Sequence, residues 1–139
     1  MSTKTTGHCL CGKVQVTVTS QPLLSYPTLC CSCNNCKRRS GGIASFAFIV
    51  PSSDVHIAGS SHTSYSDPDT GSGKPMTRSM CKECGSPVCI IEASAPESRC
   101  LQYGLFAGEV ELPRPQVEFF GKERVVWVSE MGGEVKETL

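Results

Sequence analysis

The sequence predicts a mainly β chain, read as one domain over residues 1–139. Three observations carry this. Short stretches alternate apolar and polar residues with period two, turn residues recur between them, and no long stretch shows the 3.6-residue period of an amphipathic helix. A chain of 139 residues also suits one domain.

The elements follow in order. Residues 13–19 (KVQVTVT) alternate cleanly, as a half-buried strand does. Residues 43–50 read as a more buried strand, ended by Pro51. Residues 55–57 alternate again, and 88–92, 100–107, 117–120 and 124–128 are further strand candidates. One or two helical turns are expected after Cys33, where NNCKR precedes Gly41 and Gly42. Residues 66–75 form a polar loop rich in Gly and Pro. Its GSGK is no phosphate loop, because Pro68 and Pro75 stand where that motif needs its first Gly and its Ser/Thr. Trp127, Phe119 and Phe120 are expected in the core. His8, His56 and His62 are expected at the surface or supporting a neighbouring ligand.

Thirteen basic residues balance thirteen acidic ones. The resulting neutral field argues against nucleic acid or an anionic membrane as the main partner. The longest apolar-leaning run, 43–50, is far short of the ~20 residues of a spanning helix. No apolar leader follows the first basic residue, so a cytoplasmic location is expected. There the ten cysteines are expected as thiols, and clustered thiols read as metal ligands or catalytic groups rather than disulfides.

Spacing divides the cysteines. A tetrahedral zinc with sulfurs at ~2.3 Å holds them roughly 3.8 Å apart. In Cys9-x-Cys11 the two side chains of an extended segment share one face. In Cys81-x-x-Cys84 a turn does the same work, and Gly85 suits that turn. Four sulfurs filling every corner make a closed, structural zinc site. Cys31, Cys33 and Cys36 form a separate group of three, which leaves a corner open, as catalytic zinc requires. Three thiolates make zinc a poor hydroxide generator but a good seat for another soft ligand, which suggests a substrate thiol. Cys30 could replace Cys31 or close the site, but adjacent residues of an extended chain face opposite ways, so it is expected to pack away. Cys89 and Cys100 are expected as small buried hydrophobes.

Together, GHCLCGKVQV at 7–16, CSCNNCKRRSG at 31–41 and RSMCKECGSPV at 78–88 resemble the glutathione-dependent formaldehyde-activating enzymes, the family that includes centromere protein V-like proteins. VEFFGKERVVWV at 117–128 resembles the family's tail more weakly. The resemblance implies an Mss4-like β-tent of short antiparallel sheets stapled by zinc. It implies two zinc ions, one structural on Cys9, Cys11, Cys81 and Cys84 and one catalytic on Cys31, Cys33 and Cys36. It further implies a carbon–sulfur lyase-type activity, the reversible joining of glutathione and formaldehyde to S-hydroxymethylglutathione. The partners would then be a small-molecule thiol and a carbonyl compound.

Lys37 and Arg38, with Arg39, are candidates to meet glutathione's carboxylates, and Ser40 and Gly41 to approach it closely. A solvated basic patch followed by an ordinary turn fits these residues as well. Ser32 stands where many family members have histidine. Two other functions fit the same cysteines: a zinc lyase or isomerase acting on another small organic substrate, and a non-catalytic zinc module.

Overall fold

The computed structural model describes residues 3–138. Eleven strands and one α-helix are found among them. β1 (Thr5–His8), β2 (Gln15–Val18) and β5 (Val55–Ala58) make a three-stranded antiparallel sheet in the order β1-β2-β5. β3 (Thr28–Cys31), β4 (Ser45–Pro51), β6 (His62–Asp67), β7 (Met76–Cys81), β8 (Pro87–Glu92), β9 (Ser98–Gln102), β10 (Val117–Phe119) and β11 (Glu134–Lys136) make an eight-stranded one. Its order is β11-β10-β3-β4-β9-β8-β7-β6. The mainly β class is therefore as the sequence predicts. No helix among the described residues is long and apolar enough to cross a membrane.

The core lies where the sheets meet. Val14, just before β2, and Val16 and Val18 within it cluster with Phe48, Val50, Val88 and Leu101 of the large sheet. Alternation along β2 sends Val16 and Val18 inward and Gln15 out. Each such burial stabilises the fold by about 1.5–3 kcal/mol. Phe48 packs 4.7 Å from the Tyr103 ring and edge-on to Phe106 at 5.8 Å. β1 crosses so close to the 103–106 turn that a Cβ on Gly7 would sit 2.4 Å from the Leu105 carbonyl oxygen, so only glycine fits.

Three expectations need correction. The run 100–107 is a strand only to Gln102; Tyr103–Phe106 turn as a 3₁₀ helix that buries Tyr103, Leu105 and Phe106. Residues 124–128 are no strand. Both edges of β10 are already taken, by β3 and by β11, and both pairings are parallel. Parallel neighbours need a long crossover connection, and residues 120–133 supply it. Phe120 turns the chain out in the left-handed region at φ 59°. Consequently Trp127 is 75% exposed and Val126 fully exposed, not core. Phe119 and Phe120 are half-buried and face a cavity described below.

α1 (Asn34–Ser40) is the short helix expected after Cys33. Cys33 caps it: its backbone is extended and its sulfur accepts from the Cys36 N–H at 3.4 Å. Gly41 ends it in the left-handed region at φ 73°, donating to the Lys37 carbonyl at 3.1 Å. Lys37, Arg38 and Arg39 fall in the last turn, where cations favour the helix dipole.

Candidate functional site

Two cysteine groups converge. The sulfurs of Cys9, Cys11, Cys81 and Cys84 all lie within 4.8 Å of one another, and so do those of Cys31, Cys33 and Cys36. Each group could hold a metal ion.

The four-cysteine group is built from two turns. After β1, the Gly12 N–H donates to the Cys9 carbonyl, curling Cys9 and Cys11 together. After β7, the Gly85 N–H donates to the Cys81 carbonyl at 2.8 Å and Gly85 takes a φ of 76°. Cys9 and Cys11 sulfurs are 3.6 Å apart, and Cys11 and Cys81 are 3.7 Å apart. Those separations fit the ~3.8 Å edge of a four-sulfur tetrahedron around zinc. Ser86 supports both turns, receiving the Leu10 N–H at 2.9 Å and lying 3.2 Å from the Cys84 sulfur. Its hydrogen bonds hold the Cys84 thiol down at about 5. His8 Nδ1 lies 2.7 Å from the Cys9 carbonyl. His62 pairs opposite Cys81, and His56 is exposed on β5. None of the three joins either group.

The three-cysteine group is built locally. Cys31 ends β3, Cys33 caps α1 and Cys36 occupies its first turn. Cys30, one step back on β3, is fully buried and outside the group. Burial and the nearby Glu118 carboxylate push its thiol up to about 12. Among the described residues no histidine, acid or further cysteine completes the trio. Hydrogen bonds from Cys31 and Cys36 draw the Cys33 thiol well below its usual range, and Cys31 rises in response.

The trio opens on a cavity of about 300 Å³. Its walls are mostly apolar: Leu29, Ala47, Met76, Ile90, Phe119 and Phe120. Cys100 lines it too and is partly rather than fully buried; Cys89 is buried as expected and lies 3.2 Å from the Ser79 hydroxyl. Asp69, Glu92 and Glu123 add carboxylates, and Arg78 is the one cationic lining residue. Asp69, Thr70 and Gly71 come from the 66–75 loop, so that loop is part of the site.

Lys37, Arg38, Ser40 and Gly41 do not line this cavity. Lys37 Nζ donates to the Glu123 carbonyl at its margin, Arg38 is exposed, and Arg39 donates to the Ser79 carbonyl at 3.3 Å. Ser40 Oγ accepts from the Gly42 N–H at 3.1 Å and lines a second cavity, beside Cys9 and Tyr103.

Two supporting networks carry no cysteine and are not evident from spacing. In the first, Arg78 Nε pairs with Asp67 Oδ2 at 2.8 Å, their side chains 5% and 12% exposed. Asn35 Nδ2 donates to Asp67 Oδ2 at 3.3 Å and to the Asp69 carbonyl, tying α1 to the loop. In the second, fully buried Glu118 accepts from Arg124 Nε at 2.7 Å, the Met131 N–H at 3.0 Å and the Ser32 hydroxyl at 3.3 Å. Ser32 also donates its N–H to the Phe119 carbonyl at 3.1 Å. The residue between two candidate ligands is thereby bolted to β10 and the crossover. An acid inside the apolar run VEFF was the available signal for Glu118.

This mainly β, two-sheet architecture with paired and triple cysteine groups defines a small cysteine-clustered domain class. Residues 4–123 match the model of the glutathione-dependent formaldehyde-activating enzyme family, and the chain belongs to that family. A relative in Emericella nidulans (strain FGSC A4), described as "Putative glutathione-dependent formaldehyde-activating enzyme", is 34% identical over 79 residues. That match covers 56% of this chain and 36% of the relative, so the chain spans about a third of its length. A crystal structure of a Rhodobacter sphaeroides protein shares the fold with a TM-score of 0.56 at 23% identity, over 76% of this chain and 90% of that one.

Proposed function

We propose that the chain is a zinc-dependent enzyme of carbon–sulfur lyase type that joins a small thiol, glutathione foremost, to a small carbonyl such as formaldehyde, reversibly. One observation carries the reading: three cysteine sulfurs within 4.8 Å of one another line a cavity, with no fourth protein ligand among the described residues. Zinc held there by Cys31, Cys33 and Cys36 would supply an open corner for a thiol and favour its thiolate form. Zinc on Cys9, Cys11, Cys81 and Cys84 would be structural. The mostly apolar walls would limit water around the reacting sulfur and carbonyl carbon. Phe119, Phe120 and Met76 would pack the carbon skeleton. Lys37 and Arg38 remain candidates for glutathione's carboxylates from outside the cavity mouth.

The cavity is at the small end of ligand sites, and only one cation lines it. That favours small, weakly charged carbonyls, and keeps open a second reading with another small organic substrate in the same cavity. The test is glutathione consumption by zinc-loaded protein with formaldehyde and then with larger aldehydes. Turnover with formaldehyde, abolished by Cys36→Ala in folded protein, is expected. Thiol binding without turnover of any carbonyl would overturn the enzyme reading and leave a binding module.

A further inference from the structure

Arg78 is 4% exposed, yet it lines the cavity beside the three cysteines. Its Nε is committed to Asp67 at 2.8 Å. Its Nη1 is buried with no hydrogen-bond partner. Cys36 acts on the guanidinium as well, by charge and by a side-chain hydrogen bond, while Nη1 itself has no partner. A buried, charged N–H left unmatched is costly, and natural structures rarely keep one without use. Asp67 also fixes the arginine's plane, and Asn35 and the Asp69 N–H fix Asp67. The unmatched donor is therefore held rigidly.

We propose that Arg78 Nη1 is the oxygen-binding point of this cavity, receiving the oxygen borne on the carbon that meets the substrate sulfur. This rests on the thiol-binding reading above. The substrate class follows: adducts in which an oxygen lies one or two bonds from the carbon–sulfur bond. In the joining direction, the thiol has lost its proton to solvent and its sulfur lone pair forms the bond to the carbonyl carbon. The carbonyl π pair moves to oxygen. Nη1–H hydrogen-bonds the resulting alkoxide, which then takes a proton from water. Cleavage is the reverse. Arg78 keeps its own proton throughout, so it acts as a fixed donor placed where charge develops.

The experiment compares two thiols on zinc-loaded, full-length protein by calorimetry: ethanethiol, which has no oxygen, and thioglycolate, whose carboxylate stands in for the oxyanion. Wild type is expected to bind thioglycolate about tenfold or more tightly than ethanethiol, the range of a hydrogen bond to a charged group. Arg78→Lys keeps a cation for Asp67 but lacks the second arm. It should lose most of the preference, read as the ratio of the two affinities in the same protein. Equal affinities in wild type, or a preference that Arg78→Lys retains, would overturn the proposal, since the carboxylate would then be held by something else. Failure of both thiols to bind would overturn the thiol-binding reading and this inference with it. A crystal structure of the wild-type thioglycolate complex decides the matter without any variant. A carboxylate oxygen within ~3 Å of Nη1 is expected, and a carboxylate turned away from Arg78 would overturn the proposal.

Discussion

The two cysteine groups use the same ligand atom in opposite ways. Cys9 and Cys11 follow a strand of the small sheet, while Cys81 and Cys84 lie at the end of a strand of the large one, and the sulfurs of Cys11 and Cys81 meet across 70 residues of chain. Cys31, Cys33 and Cys36 come from one strand end and the first turn of the adjoining helix. Joining distant segments removes far more freedom from an unfolded chain than joining neighbours. A metal on the first group would therefore staple the two sheets, and one on the second would join only neighbouring residues. What separates the two clusters is where the chain brings the sulfurs from, and that the trio lines the cavity.

The largest expected effect tests that contrast directly. Cys81→Ser should lose one metal per chain and unfold, since structural zinc contributes about 10 kcal/mol or more in small domains. Metal content and a circular dichroism melt read this out. A folded Cys81→Ser protein with an unchanged melt would break the comparison.

Cys36→Ser is the mirror test. It should also lose one metal but melt within a few degrees of wild type, with thiol binding abolished. Unfolding in step with Cys81→Ser would make the local trio structural too.

Glu118→Gln falls between. It removes the charge that holds Arg124 and the Ser32 hydroxyl beside the trio. A clear loss of stability is expected, because the Glu118 end of the pair is buried, though less than for a pair buried at both ends. The pH dependence sharpens this. Burial alone would raise the Glu118 pKa, but Arg124 and the N–H groups of Met131 and Gly132 outweigh it and lower it below 4.5. A lowered carboxylate stabilises the fold fully above its ordinary unfolded value, and that part is lost as pH falls through the lower folded value. Melting temperature against pH should fall on the acid side in wild type, with a shallower slope in Glu118→Gln.

The smallest effect belongs to the exposed crossover. Trp127→Ser should change stability by less than about 0.5 kcal/mol, measured by urea denaturation, and leave both metals bound. A larger loss would mean that this tail takes part in holding the trio.

Much of the architecture was legible because its signals are local. Alternation in KVQVTVT marks β2, and the buried run ended by Pro51 marks β4. Other elements lack such signals. β6 is an edge strand with mostly exposed residues, so it shows no alternation. Residues 124–128 carry strand-forming types but have no free edge to pair with. Cysteine spacing likewise separates a group of four from a group of three, because metal geometry constrains neighbours two and three residues apart.

By itself, then, the sequence determines the β class, the family and the membership of both cysteine groups, all of which rest on short-range pattern. Only the tertiary structure decides what faces the trio. Arg78, Asp67 and Glu118 lie far from it along the chain, and strand register brings them to its side, while Lys37 and Arg38, adjacent in sequence, end up outside the cavity. Pairing between strands is a long-range choice made by burial and edge availability, and no local motif encodes which side chain will stand opposite which.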